Sequence, residues 1–361
     1  MVTTLGKACI LKSGKFIAAK EIHEQYADGL FPCFGGNGIR GYVAEYSHDG
    51  TYPLIGRQGA LCGNVNYANG KFRATEHAVV VQPVEEIDTR WLYYKLTAMN
   101  LGQYATGAAQ PGLAVSKLEQ LPLTIPSYED QKRTAKMFDM VEHLITLRRE
   151  QLANLDQLVK SRFIELFEDE ESQKKTVEEL CSAIVDCPHT TPQYKGKLKN
   201  PAIRTSEIKK GYITWETMRY VSDEEYEERT ARLKPEAGDI VYGREGIFGN
   251  AAILPKGYNF CLGQRVMLLR PDYSKCTSEY LLYAVISDDV YRQAAAKNNA
   301  STVAHVNVKD VKQFKIPLPS FDKQHQFAAF VAETDKLKLA IQQSLDKLEI
   351  LKKSLMQEYF G

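Results

Sequence analysis

Two stretches of the chain place apolar residues seven positions apart over a long distance. The first stretch carries Ile145, Leu152, Val159 and Leu166 at this spacing, with Leu144, Leu155 and Leu158 beside them. The second carries Ile341, Leu348 and Leu355, with Leu337, Leu345 and Leu351 completing the stripe. A seven-residue period keeps one apolar seam of a helix facing a partner helix. The pattern therefore predicts two long helices that pack against each other as an antiparallel coiled coil.

Both predicted helices have a defined start. Each follows a proline-rich segment that ends a strand, and Ser127 and Ser320 stand at the N-cap positions, with Asp130 in the first turn of the first helix. Roughly 40 residues without proline follow each serine, so each helix would be on the order of 60 Å long. That length disfavours two ordinary surface helices.

The remaining sequence has the short-range pattern of strands separated by turns. Glycine and asparagine interrupt β-branched and aromatic runs, which predicts strands at Tyr42–Ala44, Ala78–Val81, Ile240–Tyr242 and Val266–Leu269. Short helices are predicted at Thr89–Ala98 and Ser278–Ala296. The fold class is therefore α+β, with mixed, strand-rich globular parts and long helices.

The chain repeats itself at long range. An offset of 193 residues carries Lys117–Ser127 onto Asp310–Ser320 and continues through the helices, and Gly56–Asn64 is answered by Gly243–Asn250. The sequence is thus a tandem duplication with a pseudo-twofold organisation. We predict a first domain at 1–126, a central helix at 127–171, a second domain at 172–319 and a C-terminal helix at 320–361.

Composition and charge narrow the class of protein. The 361 residues suffice for two domains. The segments 1–125 and 172–320 carry formal charges of +1 and +4, and the remainder carries −4, so any polyanion must meet locally placed cations. No apolar run is long enough to span a membrane and no leader pattern opens the chain, so we expect a cytoplasmic protein. Seven scattered cysteines without a CxxC pair favour reduced thiols over disulfides or a metal site.

Motifs of catalysis find little support. Gly36–Gly41 matches the dinucleotide pattern GxGxxG, but a strand and a turn, rather than a helix, are predicted after it, so we reject a cofactor site there. No phosphate-binding loop, zinc-protease motif, nucleophile elbow or (Asn/Asp)-Pro-Pro-(Tyr/Phe) tetrapeptide occurs. The sequence therefore predicts neither an enzyme nor a metal or cofactor bound by this chain.

Two sets of segments remain as candidates for recognition, Phe31–Tyr42 with Gly56–Gly59 in the first half and Cys187–Lys195 with Arg204–Thr205 and Gly243–Gly246 in the second. Their side-chain donors and acceptors suit base edges or phosphates. Their glycines also let the backbone approach a ligand closely. The candidates are Asn37, Arg40, Arg57, Gln58, Lys71 and Arg73 in the first half, and His189, Thr190, Gln193, Lys195, Arg204, Arg244 and Glu245 in the second. The alternative for the two GR(Q/E)G segments is a tight turn whose arginine forms a structural ion pair.

Together these features resemble the specificity subunit, HsdS, of type I restriction–modification systems. The likeness rests on Gly35–Tyr42, the twin GRxG segments, Ile203–Tyr212 followed by Leu233–Val241, and the twin Pro-Ser-…-Gln entries into the long helices. It covers essentially the whole chain, and the duplicated order of domain and helix is its most specific feature.

The resemblance implies a division of labour. Each globular part would be a target-recognition domain that reads one half of a bipartite site in double-stranded DNA, and the helices would set the unread spacer. Two modification subunits, which bind S-adenosylmethionine and methylate adenine, would dock on this chain, and two restriction subunits can join them. The alternatives are a methyltransferase with an unrecognised active site and a coiled-coil adaptor that does not bind DNA.

Overall fold

The computed structural model describes residues 2–107, 111–167, 173–195, 199–245, 249–297 and 306–361. Its chain divides into two units, and the boundaries fall inside both long helices. Unit 1 comprises Met1–Glu150 and Gln342–Gly361, and unit 2 comprises Gln151–Ile341. Each unit therefore holds one globular part together with a segment of each helix.

Unit 1 is built on a six-stranded mixed sheet. The strands of this unit are β1 (Val2–Thr4), β2 (Cys9–Ser13), β3 (Phe31–Gly35), β4 (Gly38–Val43), β5 (His48–Gly56), β6 (Val65–Ala74), β7 (Ala78–Pro83) and β8 (Pro122–Thr124). Its helices are α1 (Leu5–Ala8), α2 (Thr89–Ala98) and α3 (Val115–Glu119), with 3-10 turns at Ala19–Glu21 and Leu101–Tyr104. The strand order is β2-β7-β5-β6-β3-β4, in which only β3 and β6 are parallel, while β1 pairs with β8 separately.

Unit 2 repeats the plan with smaller sheets. Its strands are β9 (Lys174–Thr176), β10 (Cys181–Asp186), β11 (Asn200–Ile203), β12 (Arg219–Val221), β13 (Ile240–Gly243), β14 (Ala251–Ile253), β15 (Cys261–Leu262), β16 (Val266–Pro271) and β17 (Lys315–Pro317). Its helices are α5 (Val177–Leu180), α6 (Asp223–Arg229), α7 (Ser278–Val285), α8 (Asp288–Lys297) and α9 (Val308–Lys312). The sheets have the orders β10-β16-β13-β14 and β12-β11-β15, and β9 pairs with β17.

The predicted short elements are found, with one exception. The helix predicted at Thr89–Ala98 is α2, and each predicted strand lies within or overlaps β4, β7, β13 or β16. The single helix predicted at Ser278–Ala296 is wrong, because α7 ends at Val285 and α8 begins at Asp288. Ser287 interrupts the helix there, since its hydroxyl accepts a hydrogen bond from the Val290 amide and so caps a new N-terminus.

The two long helices are α4 (Tyr128–Phe167) and α10 (Phe321–Phe360), each of 40 residues. Ser127 caps α4 as predicted, because its hydroxyl accepts a hydrogen bond from the Asp130 amide at 3.2 Å. Within the described ranges, none of the helices combines the length and the apolar character that crossing a bilayer requires.

The helix segments run antiparallel within each unit. In unit 1, Lys352 Nζ lies 2.9 Å from Glu142 Oε1 and Arg149 Nη2 lies 2.8 Å from Glu349 Oε1. In unit 2, Lys338 Nζ lies 2.6 Å from Asp156 Oδ1, and the Phe163 and Phe327 rings are 5.4 Å apart. Residue numbers rise along one helix as they fall along the other, so the predicted antiparallel packing is confirmed in each unit.

The composition of the seam differs from the prediction. Ile145, Val159 and Leu345 are buried, and the half-buried members of the predicted seam are Leu152, Leu155, Leu166, Ile341, Leu348 and Leu355. Four predicted members of the stripe are exposed, so their assignment to the seam is wrong: Leu144 (40%), Leu158 (49%), Leu337 (56%) and Leu351 (44%). Arg148, Lys338 and Lys352 are half-buried instead, and their charged ends contact Ser344, Asp156 and Glu142 of the facing helix. Their long aliphatic stems can cover apolar surface while the charged ends reach these partners.

A buried glutamine fixes each globular part to its helix. Gln131 is 1% exposed; its side-chain oxygen accepts from the Asp88 amide at 2.8 Å, and its amide donates to the Pro126 carbonyl. Gln324, at the 193-residue offset, accepts from the Thr277 amide at 2.9 Å and donates to the Lys275 and Pro319 carbonyls. Asp88 and Thr277 are the N-cap residues of α2 and α7, so each glutamine connects the start of a long helix to the start of a domain helix.

Candidate nucleic-acid interface

The GRQG segment of unit 1 follows β5 and is tied into the fold on three sides. The Arg57 amide donates to the His77 carbonyl at 3.0 Å, and the Arg57 carbonyl accepts from the Leu113 amide at 2.9 Å. The guanidinium donates through Nη1 to the Ser13 hydroxyl at 3.0 Å. We call this surrounding of Arg57, and its counterpart in unit 2, the arginine junction.

Unit 2 contains the same junction around Arg244. The Arg244 amide donates to the Arg265 carbonyl at 3.0 Å, and its carbonyl accepts from the Val306 amide at 2.9 Å. Nη2 lies 2.8 Å from Asp186 Oδ1, and the two side chains are 7% and 20% exposed. Asp186 ends β10 as Ser13 ends β2, so the two arginines use equivalent partners in the two copies.

The glycines of the junction are needed for close packing. A Cβ atom on Gly56 would lie 1.9 Å from the Gly36 carbonyl oxygen, so the GRQG segment and the Gly35–Tyr42 segment touch through backbone. Gly59 has a φ of +85°, which favours glycine. These positions match the tight-turn alternative, although the last glycine of the second copy, at 246, lies outside the described residues.

Gly36–Gly41 lies on a hairpin between β3 and β4. The segment continues into β4 and no helix follows it directly, which supports rejection of a dinucleotide site. Asn37 is exposed at the turn, and its side-chain oxygen accepts a hydrogen bond from Asn64 Nδ2 at 2.7 Å. Arg40 is also exposed, at a β-bulge in β4. The hairpin therefore presents polar donors at the protein surface.

The other candidates of unit 1 differ in their accessibility. Gln58 and Lys71 are exposed, and Lys71 Nζ lies 4.9 Å from the centroid of the Tyr46 ring. Arg73 is half-buried, and its Nε is buried without a hydrogen-bond partner within the described part of the chain. Gln58 and Lys71 could meet a ligand directly, whereas Arg73 would need a shift of its side chain.

Four candidates of unit 2 are exposed around the segment that follows β10. His189 is 81% exposed, with Nε2 3.7 Å from Asp186 Oδ2. Thr190 is exposed and its hydroxyl accepts from Arg229 Nη1 at 3.3 Å, while Gln193 and Lys195 are exposed nearby in the sequence. These side chains are therefore accessible to a ligand.

Two further candidates of unit 2 are engaged inside the protein. Arg204 donates through Nε to Glu207 Oε2 at 3.0 Å and through Nη2 to the Thr217 carbonyl at 2.9 Å, and Glu207 is fully buried. Burial alone would raise the pKa of Glu207, but hydrogen bonds from Arg204, Ser206 and Thr217 outweigh it and hold this pKa below its ordinary value. The charged pair is thus stabilised within the fold.

Glu245 is half-buried and lies 2.9 Å from Arg265 Nε, a residue that the sequence analysis did not single out. Arg265 is exposed and has a φ of +65°, uncommon for a residue other than glycine. It occupies the place of His77 in the other junction, since the two carbonyls accept from Arg244 and Arg57. The match of Val266–Pro271 to Ala78–Pro83, at an offset of 188, was the sequence signal that could have revealed it.

The cysteines are mostly buried, with only Cys181 half-buried. All seven are free, and burial raises the pKa of the Cys9, Cys261 and Cys276 thiols to about 12, so they stay protonated at neutral pH. Among the residues that the structure describes, no three His, Cys, Asp or Glu side chains are grouped as metal ligands.

Comparison with known proteins places this duplicated architecture in one family. The family model for the type I restriction modification DNA specificity domain matches residues 1–157 and again 169–350. The two matches together span most of the sequence and repeat the duplication. The chain therefore belongs to the family of type I restriction–modification DNA specificity proteins.

Individual relatives agree with this assignment. The chain is 54% identical over 142 residues to the EcoprrI specificity subunit of Escherichia coli, an alignment covering 39% of this chain and 35% of that protein. It is 25% identical over 365 residues to a Haemophilus influenzae protein named as a type I restriction enzyme specificity subunit, covering 91% and 88% of the two chains. The first alignment thus spans about a third of its relative, and the second nearly all.

Solved structures show the same fold. The S subunit of a type I restriction–modification system from M. genitalium matches with a TM-score of 0.64 at 16% identity, over 100% of this chain and 96% of that one. A chain from a structure addressing complex assembly and conformational transition of the type I R-M system matches with a TM-score of 0.56 at 14% identity, over 100% and 97%. The fold is therefore that of specificity subunits.

Proposed function

We propose that this chain is the DNA-reading subunit of a type I restriction–modification complex and that each unit reads one half of a bipartite DNA site. The observation that carries the proposal is the arginine junction, which is built twice from equivalent residues in two units of the same family fold. Equivalent scaffolds with different surface side chains suit two half-sites of different sequence. Asn37, Gln58, Gln193 and Lys195 provide exposed donors of the kind that base edges and phosphates accept.

Arg57, Arg204 and Arg244 have a different part in this proposal. Their guanidinium groups already hold Ser13, Glu207 and Asp186. We assign them to supporting the surface loops, and leave direct DNA contact to exposed residues. This assignment follows the structural alternative that the sequence left open for Arg57 and Arg244.

Chemistry on DNA belongs, in this proposal, to partner subunits. Modification subunits would bind S-adenosylmethionine and methylate adenine, and restriction subunits would add cleavage where they are present. The long helices would dock the modification subunits and set the length of the spacer between the half-sites. The complex would act in the cytoplasm.

Duplicated apolar exposure supports the docking of two identical modification subunits. In unit 1, Leu144 and Leu351 are 40% and 44% exposed. Their counterparts at the 193-residue offset, Leu337 and Leu158 in unit 2, are 56% and 49% exposed. Exposed leucines at equivalent positions of two helices suit two copies of one partner surface.

The main experiment is methylome sequencing of cells that express this chain with its cognate modification subunit. We expect methylated adenines in a bipartite motif, and replacement of residues 1–126 by the first domain of another family member should change one half of that motif. The unmodified chain serves as the control. An unchanged motif would favour the adaptor, and methylation of DNA by the purified chain alone would favour the methyltransferase.

Partner docking has its own test. Leu144→Glu combined with Leu351→Glu should remove one modification subunit, which mass photometry would register as a loss of one subunit mass. Leu339→Glu is the matched control, because Leu339 is 61% exposed but its repeat position holds Thr146. Retention of both partners by the double variant would refute docking at these leucines.

The spacer is tested by lengthening both helices together. Seven residues inserted after Glu150 and seven after Ile341 preserve the heptad register within each unit. Each insertion adds about 10 Å of helix, which corresponds to about three base pairs of DNA. We expect a longer spacer with the same bases read, and a change in the bases themselves would contradict this role of the helices.

A further inference from the structure

The outermost strand of the mixed sheet is equivalent in the two units. In unit 1, β4 lies outside β3, which runs parallel to β6 with Cys33 opposite Arg73. In unit 2, β12 lies outside β11, which runs parallel to β15 with Ala202 opposite Cys261. The same parallel neighbour thus identifies β3 with β11, and therefore β4 with β12. We call β4 and β12 the outer strands.

Backbone pairing confirms the equivalence residue by residue. Tyr42 stands opposite Pro32 in unit 1, and Tyr220 stands opposite Pro201 in unit 2. The Tyr42 carbonyl accepts from the His23 amide at 2.8 Å, and the Tyr220 carbonyl accepts from the Lys195 amide at 3.0 Å. The two outer strands therefore have the same register and the same covering segment.

Each outer strand carries one exposed arginine near the same point. In β12, Arg219 stands opposite Ala202. The matching residue of β4 is Gly41, where a Cβ atom would lie 2.5 Å from the His23 carbonyl oxygen, so a side chain is excluded. A β-bulge inserts Arg40 next to Gly41 and supplies an exposed arginine one residue earlier.

These two arginines differ from the arginines of the junctions. The junction guanidiniums are held by Ser13 and Asp186, whereas across the part of the chain that the structure describes no side-chain hydrogen bond or ion pair engages Arg40 or Arg219. The guanidinium of Arg219 lies over the Tyr194 ring, 4.9 Å from its centroid. Tyr194 is half-buried and packs against the cluster of Ala202, Val221 and Cys261, so the ring is a firm support. A ring contacts the face of a guanidinium and leaves the in-plane N–H donors available.

We propose that Arg40 and Arg219 are the arginines through which the outer strands contact DNA, and that Tyr194 positions Arg219. The inference rests on the proposed function and assigns the contact to residues of the outer strands. The free in-plane donors fit paired acceptors of DNA, which occur on the guanine edge and on the phosphate group.

The test measures binding of a fluorescent cognate duplex to the complex assembled with modification subunits. Arg219→Ala should weaken binding by roughly 5- to 150-fold if the arginine makes a paired contact. Tyr194→Phe keeps the ring and should bind like the wild type, whereas Tyr194→Leu removes the ring and should lose part of the affinity. Arg292→Ala is the control for loss of surface charge, since Arg292 is 76% exposed and pairs with Asp289.

Two further measurements distinguish the acceptor and the level of failure. A guanine contact predicts loss only on the cognate duplex and relaxed specificity at one position, while a phosphate contact predicts loss on all duplexes and a salt dependence reduced by about one unit of slope. Wild-type affinity in both Arg40→Ala and Arg219→Ala, in a complex that binds its site specifically, would overturn this inference alone. Absence of specific binding by the wild-type complex would overturn the proposed function.

Discussion

Substitution of Arg244 by alanine should destabilise unit 2 more than the equivalent change at Arg57 destabilises unit 1. Arg244→Ala leaves the Asp186 carboxylate, which is only 20% exposed, without its cationic partner. Removing one member of a buried ion pair costs about 3–5 kcal/mol, and we expect the lower end because Asp186 retains a hydrogen bond from the Cys187 amide. Arg57→Ala deprives only the neutral Ser13 hydroxyl of a partner, for about 1–2 kcal/mol.

Urea unfolding resolves the two units because each contains one tryptophan, Trp91 in unit 1 and Trp215 in unit 2. Single-tryptophan backgrounds, Trp215→Phe and Trp91→Phe, would report the free energy of unfolding of each unit separately. The double variant Arg244→Met with Asp186→Leu is the control, because removing both charges avoids an unpaired carboxylate and should recover most of the loss.

Unchanged stability of Arg244→Ala, together with weaker DNA binding by the assembled complex, would refute the structural role and restore direct DNA contact. Equal losses of unfolding free energy for Arg57→Ala and Arg244→Ala would show that the charge of Asp186 does not determine the size of the destabilisation. Both results are readable from the same set of variants.

Three further predictions concern the fold that supports the DNA-reading surface. The pKa of Glu207 is lowered in the folded chain, so its contribution to stability is present above its unfolded pKa near 4.5 and is lost as the pH falls through its folded pKa. Glu207→Gln should flatten this acid dependence in urea titrations at pH 3–7, and an unchanged pH profile would contradict the assignment. Gln131→Leu and Gln324→Leu should each cost about 1–3 kcal/mol by leaving a buried N-cap amide unpaired, measured in the corresponding single-tryptophan background, and full stability would show that water replaces the glutamine. Gly56→Ala should lower the melting temperature because its Cβ would meet the Gly36 carbonyl. Gly59→Ala has nothing within 4 Å of its Cβ but a positive φ, so it should cost about 1 kcal/mol of stability. A larger loss of stability for Gly59→Ala than for Gly56→Ala would refute the close approach.

The sequence predicted the two long helices correctly but assigned several exposed leucines to the seam between them. Leucines are frequent on both helices, and Leu337 and Leu351 continue an apolar stripe in the sequence. Which side chains are buried depends on the position of the facing helix. That helix partly covers Lys338 and Lys352, whose charged ends reach Asp156 and Glu142. A hydrophobic scale assigns lysine to the surface and cannot include the contribution of its aliphatic stem.

The candidate interface shows a similar division. Residue type alone made Arg57, Arg204 and Arg244 suitable for DNA, and the sequence could not show that the fold would bring Ser13, Glu207 and Asp186 to them. Arg219 had no glycine-rich neighbour and did not stand out, because its significance comes from the ring of Tyr194 and from the pairing of β12 with β11.

The sequence by itself determined the duplicated plan, the two long helices and the Ser127 N-cap, because these depend on local periodicity and on residues close together in the chain. Only the tertiary structure decided which polar groups are already satisfied and which remain available. Asp186 and Arg244 are 58 positions apart, and their ion pair exists because β10 and β13 both pair with β16. Contacts between distant segments depend on strand pairing, and a pattern along one chain does not contain that information.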